Sequence, residues 1–183
     1  LVLAGSTGEA ALLDDDEYRA LLVHAVRRVA GRIPVIAGIG SPGTRKSLAY
    51  ARIAAEARAD AVLAVTPYYV RPTQHGLIAH YLHLAAESPL PIILYNVPGR
   101  TGCDLLPETV AALAGHPRIV GVKEARSEPE RMAALLKLQS ADFAILSGDD
   151  PTALHAMLAG AKGTISVAAN VAPRAFAALC ERA

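Results

Sequence analysis

Tyr95-Asn96-Val97-Pro98-Gly99-Arg100-Thr101-Gly102 and Ile119-Val120-Gly121-Val122-Lys123-Glu124-Ala125 bracket the segment that decides the fold. Each contains or follows a short apolar run with a functional side chain at its C-terminal tip. Between them, Pro107 to Gly115 has the pattern of a short amphipathic helix. A strand–helix–strand unit of this length makes its two strands parallel neighbours. Tyr95 and Lys123 are then expected at equivalent depths on adjacent strands, at the end where α/β enzymes place their chemistry.

The same unit recurs along the chain. Strands are expected at Leu1–Ala4, Ile33–Ile39, Ala61–Val65, Pro91–Tyr95, Ile119–Lys123, Phe143–Leu146 and Gly163–Val167. Helices are expected from Asp14 to about Arg28, from Thr44 to Ala59, from about Gly76 to Ala86, over Glu130–Leu138, from Asp150-Pro151 to Ala159, and after Pro173. Asp14 with Glu17 forms a capping box, Thr44 and Asp150 are candidate caps, Pro129 suits a first helical turn, and Gly31 suits a stop. The strands are continuous apolar runs, as strands covered on both faces must be. Alternation at roughly 25–30 residues gives a parallel sheet with a helical coat. A closed (β/α)8 barrel of the TIM type needs eight strands and about 250 residues. The expectation is therefore a partial TIM (β/α)8 barrel, residues 1–183 forming one domain incomplete at both ends, with an open doubly wound sheet as the alternative. The chain starts at Leu1 inside a strand and ends at Ala183 inside a helix, which reads as a piece of a longer protein.

Composition narrows the function. Of 183 residues, 52% are hydrophobic and only 4% aromatic, which suits a packed α/β core. The formal net charge of +1 gives no basis for binding nucleic acid or an acidic membrane. No apolar run approaches the roughly 20 residues of a membrane span, and no signal-peptide pattern is present. The two cysteines, Cys103 and Cys180, are expected as unlinked thiols in a reducing compartment, and the protein as cytoplasmic.

Lys123 is the first candidate for chemistry. A lysine at the tip of a buried strand either reaches solvent or is desolvated. Desolvation disfavours the ammonium and brings the free amine within reach near neutral pH, where it can attack a ketone and form a Schiff base. Tyr95 can carry protons or simply hydrogen-bond at its strand end. Arg100, after the Pro98-Gly99 turn, can clamp a carboxylate or face solvent. Gly5-Ser6-Thr7-Gly8 offers backbone N–H groups and two hydroxyls, a cradle for a carboxylate or a plain turn. It lacks the Gly-Lys-Ser/Thr ending of a P-loop and the Gly-x-Gly-x-x-Gly spacing, so nucleotide binding is not expected. His80 and His83 lie three apart on one helix but have no evident third ligand, so no metal is expected. Asp149-Asp150 could bind a cation, but a helix N-cap explains Asp150 better, and Tyr68-Tyr69 is read as packing or interface aromatics.

Taken together and in order, Gly5-Ser6-Thr7-Gly8-Glu9, Thr66-Pro67-Tyr68-Tyr69, Tyr95-Asn96-Val97-Pro98 and Gly121-Val122-Lys123-Glu124-Ala125 resemble the pyruvate-dependent class I aldolases related to dihydrodipicolinate synthase. Gly99-Arg100-Thr101-Gly102 and Leu146-Ser147-Gly148-Asp149-Asp150 are similar to the synthase branch, rather than to N-acetylneuraminate lyases or 2-keto-3-deoxy sugar acid aldolases. The resemblance implies that Lys123 forms a Schiff base with pyruvate, without any separate cofactor, and that Tyr95 exchanges protons with the intermediate. It implies that Ser6 hydrogen-bonds Tyr95 and relays protons to a Tyr69 supplied by a neighbouring subunit of a homo-oligomer, a dimer of dimers. Thr7 would hold the pyruvate carboxylate, the Ile165 backbone and Gly148 would border the substrate, and Arg100 would receive the carboxylate of L-aspartate 4-semialdehyde. Ser6 stands where the family usually has Thr, a change that keeps the hydroxyl. Ala10, Pro42 and Lys46 occupy the positions matching the polar interface site of lysine-inhibited members. Lys46 places a cation where a carboxylate is usual, so weak or absent lysine feedback is expected. A sister aldolase, such as an N-acetylneuraminate lyase or a 2-keto-3-deoxy sugar acid aldolase, is the first alternative, and a non-catalytic fragment that only binds pyruvate or a partner chain is the second.

Overall fold

In a computed structural model describing residues 1–183, six parallel strands form one sheet in the order β1-β2-β3-β4-β5-β6. They are β1 (Val2–Leu3), β2 (Ile36–Gly38), β3 (Ala61–Val65), β4 (Ile92–Asn96), β5 (Ile119–Glu124) and β6 (Ala144–Ser147). Strand order follows chain order without reversal. A doubly wound sheet reverses direction midway, so that alternative is excluded and the partial barrel stands. The helices are α1 (Asp15–Val29), α2 (Thr44–Glu56), α3 (Gln74–Glu87), α4 (Pro98–Thr101), α5 (Pro107–Ala114), α6 (Pro129–Leu136), α7 (Ala153–Leu158) and α8 (Pro173–Arg182).

Side-chain alternation along the strands makes two apolar layers. On the outer face, Val62, Ala64, Ile92, Leu94 and Val122 pack under the helices with Leu22, Leu77, Leu84, Leu113 and Leu135. On the inner face, Leu63, Ile93 and Tyr95 form a smaller cluster backed by Ile36, Val65, Leu146 and Ile165. Two buried phenols fix helices to strands: the Tyr18 hydroxyl of α1 donates to the Gly38 carbonyl at 3.0 Å, and Tyr81 of α3 donates to the Ala64 carbonyl at 3.2 Å. Gly38 is needed because a Cβ there would sit 2.0 Å from the Ala4 carbonyl oxygen of the adjoining segment.

Helix starts follow local chemistry closely. Asp14 caps α1, accepting the Glu17 N–H at 2.8 Å, while Glu17 accepts the Asp14 N–H at 3.1 Å, which completes the capping box. The helix ends with Ala30 at φ 50° followed by Gly31 at φ 72°. Pro129 and Pro173 each occupy a first turn, as expected. Other boundaries differ. Thr44 is the first residue of α2 rather than its cap, and its hydroxyl hydrogen-bonds His80 Nδ1 at 2.8 Å. α3 starts at Gln74, capped by Thr73. Asp150 does not cap α7, because its carboxylate accepts the Ala168 N–H at 2.8 Å and the helix begins only at Ala153.

The seventh expected strand, Gly163–Val167, is reduced to a single bridge between Ser147 and Thr164. Gly163 at φ 152° lies outside the extended region used by other residues. The segment still bonds to β6 on both sides of that bridge: the Ser147 N–H donates to the Gly163 carbonyl and the Ile165 N–H to the Ser147 carbonyl, each at 2.9 Å.

Candidate active site

β4 and β5 pair Tyr95 with Lys123 and Asn96 with Glu124. Both Tyr95 and Lys123 face inward at the C-terminal edge. Lys123 is 7% exposed, and its Nζ stands 4.1 Å from the centroid of the Tyr95 ring. Its stem runs beside the loop after β6. A Cβ on Gly148 would lie 2.7 Å from Lys123 Cε and 3.0 Å from Cγ, so the absence of a side chain at 148 makes the room the lysine occupies.

Two charges and a desolvated wall act on this amine. Burial brings Lys123 down to about 8 from the usual 10.5, Asp150 acts to raise it, and Arg100 adds to the lowering. No carboxylate pairs directly with the amine, so the more distant Asp150 only partly offsets the effect of burial. Tyr95 is shifted in the other direction: burial raises its phenol, against the opposing influence of the Ser6 hydroxyl and the Arg100 guanidinium. Lys123 is thus poised to lose its proton and Tyr95 to keep one.

In front of Tyr95 is a cavity of about 290 Å³ lined by Gly5, Ser6, Leu63, Val65, Tyr68, Tyr95, Arg100 and Thr101, among others. Lys123 does not line it, but stands against Tyr95, which does. Ser6 reaches the cavity from a single 3-10 turn, Ser6–Gly8, that follows β1. Thr7, in that turn, is exposed and outside the cavity lining. Arg100 comes from α4, whose start is fixed by Pro98. Thr101 Oγ1 accepts from Thr66 Oγ1 at 3.1 Å and donates to the Cys103 carbonyl at 2.9 Å, tying the Arg100 loop to the end of β3. Ile165 packs on the inner cluster with Tyr95.

Tyr69 is not brought to Tyr95. It is 90% exposed at φ 72°, with its N–H donating to the Thr101 carbonyl at 3.1 Å. It lines an outer pocket that shares Tyr68, Arg100 and Thr101 with the inner cavity. Tyr68, read from sequence as packing or interface, lines both.

Lys46 Nζ is engaged by Asp15 at 2.6 Å and lies 4.8 Å from the Tyr50 ring centroid. His80 is buried, and burial lowers it to about 4, while its neighbour His83 is exposed. Cys103 and Cys180 are both free thiols. No helix is long and apolar enough to cross a membrane.

Sequence reading missed the polar cluster behind the inward pair. Glu124 is 1% exposed and faces outward, under the helices. Its carboxylate accepts from Asn96 Nδ2 at 3.0 and 3.1 Å, the Arg126 N–H at 2.8 Å and Arg131 Nε at 2.8 Å. Asn96 Nδ2 also meets Asp104 Oδ1 at 2.8 Å, and Asn96 Oδ1 accepts the Leu105 N–H at 2.9 Å. Arg126 and Arg131 both bond Asp104. The available signal was a polar residue immediately after each inward-facing one. Alternation sends such a residue into the helical layer, where it needs partners.

The model of the dihydrodipicolinate synthetase family matches residues 1–183. A protein of Xanthomonas axonopodis pv. citri named 4-hydroxy-tetrahydrodipicolinate synthase is 64% identical over all of this chain, and one of Pseudomonas aeruginosa with the same name is 50% identical. The chain spans 61% and 63% of their lengths. A solved dihydrodipicolinate synthase of Acinetobacter baumannii, described as chloride inhibited and complexed with pyruvate, superposes with a TM-score of 0.96 at 46% identity over 98% of this chain and 62% of its own. That of Thermotoga maritima superposes with a TM-score of 0.95 at 40% identity, over 99% of this chain and 63% of its own. With strand order, inward Lys123–Tyr95 pair and full-length family match in agreement, the chain belongs to the dihydrodipicolinate synthetase family.

Proposed function

We propose that this site binds pyruvate as a Schiff base on Lys123 and condenses it with L-aspartate 4-semialdehyde, giving 4-hydroxy-tetrahydrodipicolinate on the route to diaminopimelate and lysine. The observation that carries the reading is the buried Lys123 amine over the Tyr95 ring, with its pKa brought near neutrality.

The free amine of Lys123 attacks the keto carbon of pyruvate. Proton transfer through Tyr95 lets the resulting carbinolamine lose water, forming a C=N bond. The iminium draws electrons from the pyruvate methyl, which loses a proton and becomes an enamine carbon nucleophile. That carbon adds to the aldehyde of the second substrate, whose oxygen takes a proton; the substrate's own amine then attacks the imine carbon, closing the ring, and the Lys123 amine leaves as the C–N bond to it breaks. Ser6 and Tyr95 share the cavity in which these transfers would occur. Thr7 and the neighbouring backbone would hold the pyruvate carboxylate, Ile165 and Gly148 would border the bound ketoacid, and Arg100, at the cavity rim, would bind the carboxylate of the semialdehyde. The almost fully exposed Tyr69 suits donation to a neighbouring subunit's site, so the active form is proposed to be a homo-oligomer. Two free thiols suit a cytoplasmic setting.

Reduction with borohydride in the presence of pyruvate tests the central step. The expected product is a stable adduct on the Lys123 peptide, heavier by pyruvate plus two hydrogens minus water. Its absence, with folded protein, overturns the reading. Comparing the semialdehyde with sugar aldehydes as acceptors separates the synthase from the sister aldolases.

A further inference from the structure

Side chains one residue beyond the inward pair form a second pair. Tyr95 faces Lys123 across the β4–β5 register on the inner side; Asn96 faces Glu124 across it on the outer side, and there the contact is a direct hydrogen bond. These are the last paired residues of the ladder. At these tips the strands are joined by Ala125 N–H to the Asn96 carbonyl at 3.0 Å and by Gly148 N–H to the Glu124 carbonyl at 2.6 Å. Glu124 also reaches the Arg126 N–H in its own loop and Arg131 on α6. Asn96 reaches the Leu105 N–H and Asp104. One carboxylate and one amide thus fasten both strand tips, the loop after each, and the helix that covers them.

We propose that Glu124 and Asn96 are positioning residues: by tying the tips of β4 and β5 to each other and to α6, they hold the Lys123 side chain buried against the Tyr95 ring. The proposal deepens the reading of Lys123 as the imine-forming amine and rests on it for its functional meaning. The groups facing Lys123 are Tyr95 from β4, Arg100 from α4 and Asp150 from the loop after β6; Glu124 points to the opposite side of the sheet.

The sign of a titration shift separates positioning from charge and from bulk stability. If the tips loosen, Lys123 gains water and its titration midpoint rises from about 8 toward the usual 10.5. If Glu124 acted through its negative charge, removing that charge would lower the midpoint instead. Asn96→Ala cuts the same tie with no change of charge. The experiment is competitive acetylation of the folded chain with acetic anhydride across pH. Labelling is read by peptide mass, with exposed Lys137 and Lys162 as internal references.

Glu124→Gln and Asn96→Ala are both expected to raise the Lys123 midpoint by about one pH unit, a tenfold loss of free amine near pH 7. A fall with Glu124→Gln, or no movement in either folded variant, overturns the proposal. If Glu124→Gln does not fold, Asn96→Ala decides alone. The assay uses no pyruvate, so failure of wild-type protein to trap pyruvate would sink the proposed function while leaving this test intact.

Discussion

Replacing Lys123 with methionine should make the protein more stable while removing its chemistry. Burial holds the Lys123 amine at about 8 in the folded chain against 10.5 when exposed. At roughly 1.36 kcal/mol per pH unit, the folded state disfavours the ammonium by about 3 kcal/mol. Contact with the Tyr95 face returns on the order of 1 kcal/mol. Methionine has similar length and no charge, so Lys123→Met is expected to gain about 2 kcal/mol at pH 7, or about 4–8 °C in Tm for a chain of this size. The pH dependence follows from linkage. Below about 8 both folded and unfolded lysine are protonated, and the whole penalty is present. Between about 8 and 10.5 the unfolded chain binds more protons than the folded one, so wild-type stability rises with pH through that window. Above it the gap between wild type and variant should close. Urea denaturation of both proteins at pH 7 and at pH 10.5, with borohydride trapping in parallel, provides the measurement. A variant less stable than wild type at pH 7, or a gain that persists unchanged to pH 10.5, would refute the claim that Lys123 is held as a desolvated amine.

Gly148→Ala places a methyl 2.7 Å from Lys123 Cε and 3.0 Å from the Ala125 Cβ. Overpacking of about 1–3 kcal/mol accompanies a forced shift of the lysine stem, so pyruvate trapping should fall by tenfold or more and Tm by about 2–4 °C per kcal/mol, and an unchanged trapping rate would show that the stem has room to spare. In wild-type protein the trapping rate should climb about tenfold per pH unit below about 8 and level off above it, because the free amine is the nucleophile; a profile still rising steeply to pH 10 would place Lys123 in bulk water. Lysine should inhibit condensation weakly or not at all, since Lys46 puts a cation beside Asp15 and Tyr50 where an incoming ammonium would be met; inhibition at sub-millimolar lysine in a condensation assay contradicts this.

The parts of the fold legible in the sequence were those written in local chemistry. The Asp14–Glu17 capping box, the prolines that open α5, α6 and α8, and the apolar runs of β3, β4 and β5 each act over a few residues, and each is found where the pattern puts it. The Tyr95–Lys123 register was legible too, because a parallel unit with a short helix leaves little freedom in how its strands align. What was not legible depends on partners distant in sequence. Asp150 has every local quality of a cap, yet the Ala168 N–H claims its carboxylate. Gly163-Thr164-Ile165 has strand composition, but its pairing with β6 ends after the single Ser147–Thr164 bridge. The role of Gly148 is visible only once the Lys123 stem is seen lying beside it.

Lys123 and Glu124 show why one strand can carry a strained group and its support together. Both are ionisable and almost fully buried, one residue apart. Burial raises the Glu124 carboxyl, but Arg126, Arg131 and Asn96 oppose that rise with direct hydrogen bonds, so its polar atoms are satisfied. Lys123 has no such partner, and its proton is correspondingly loose. Were both groups on one face, a carboxylate and an ammonium that close would pair, and the amine would be held protonated. Strand alternation prevents this by placing them on opposite sides of the sheet. The outer face can then be saturated with bonds while the inner one is left short of them. The rigidity of the first is what allows the second to remain unsatisfied, because an amine on a loose tip would swing toward water and recover its ordinary basicity.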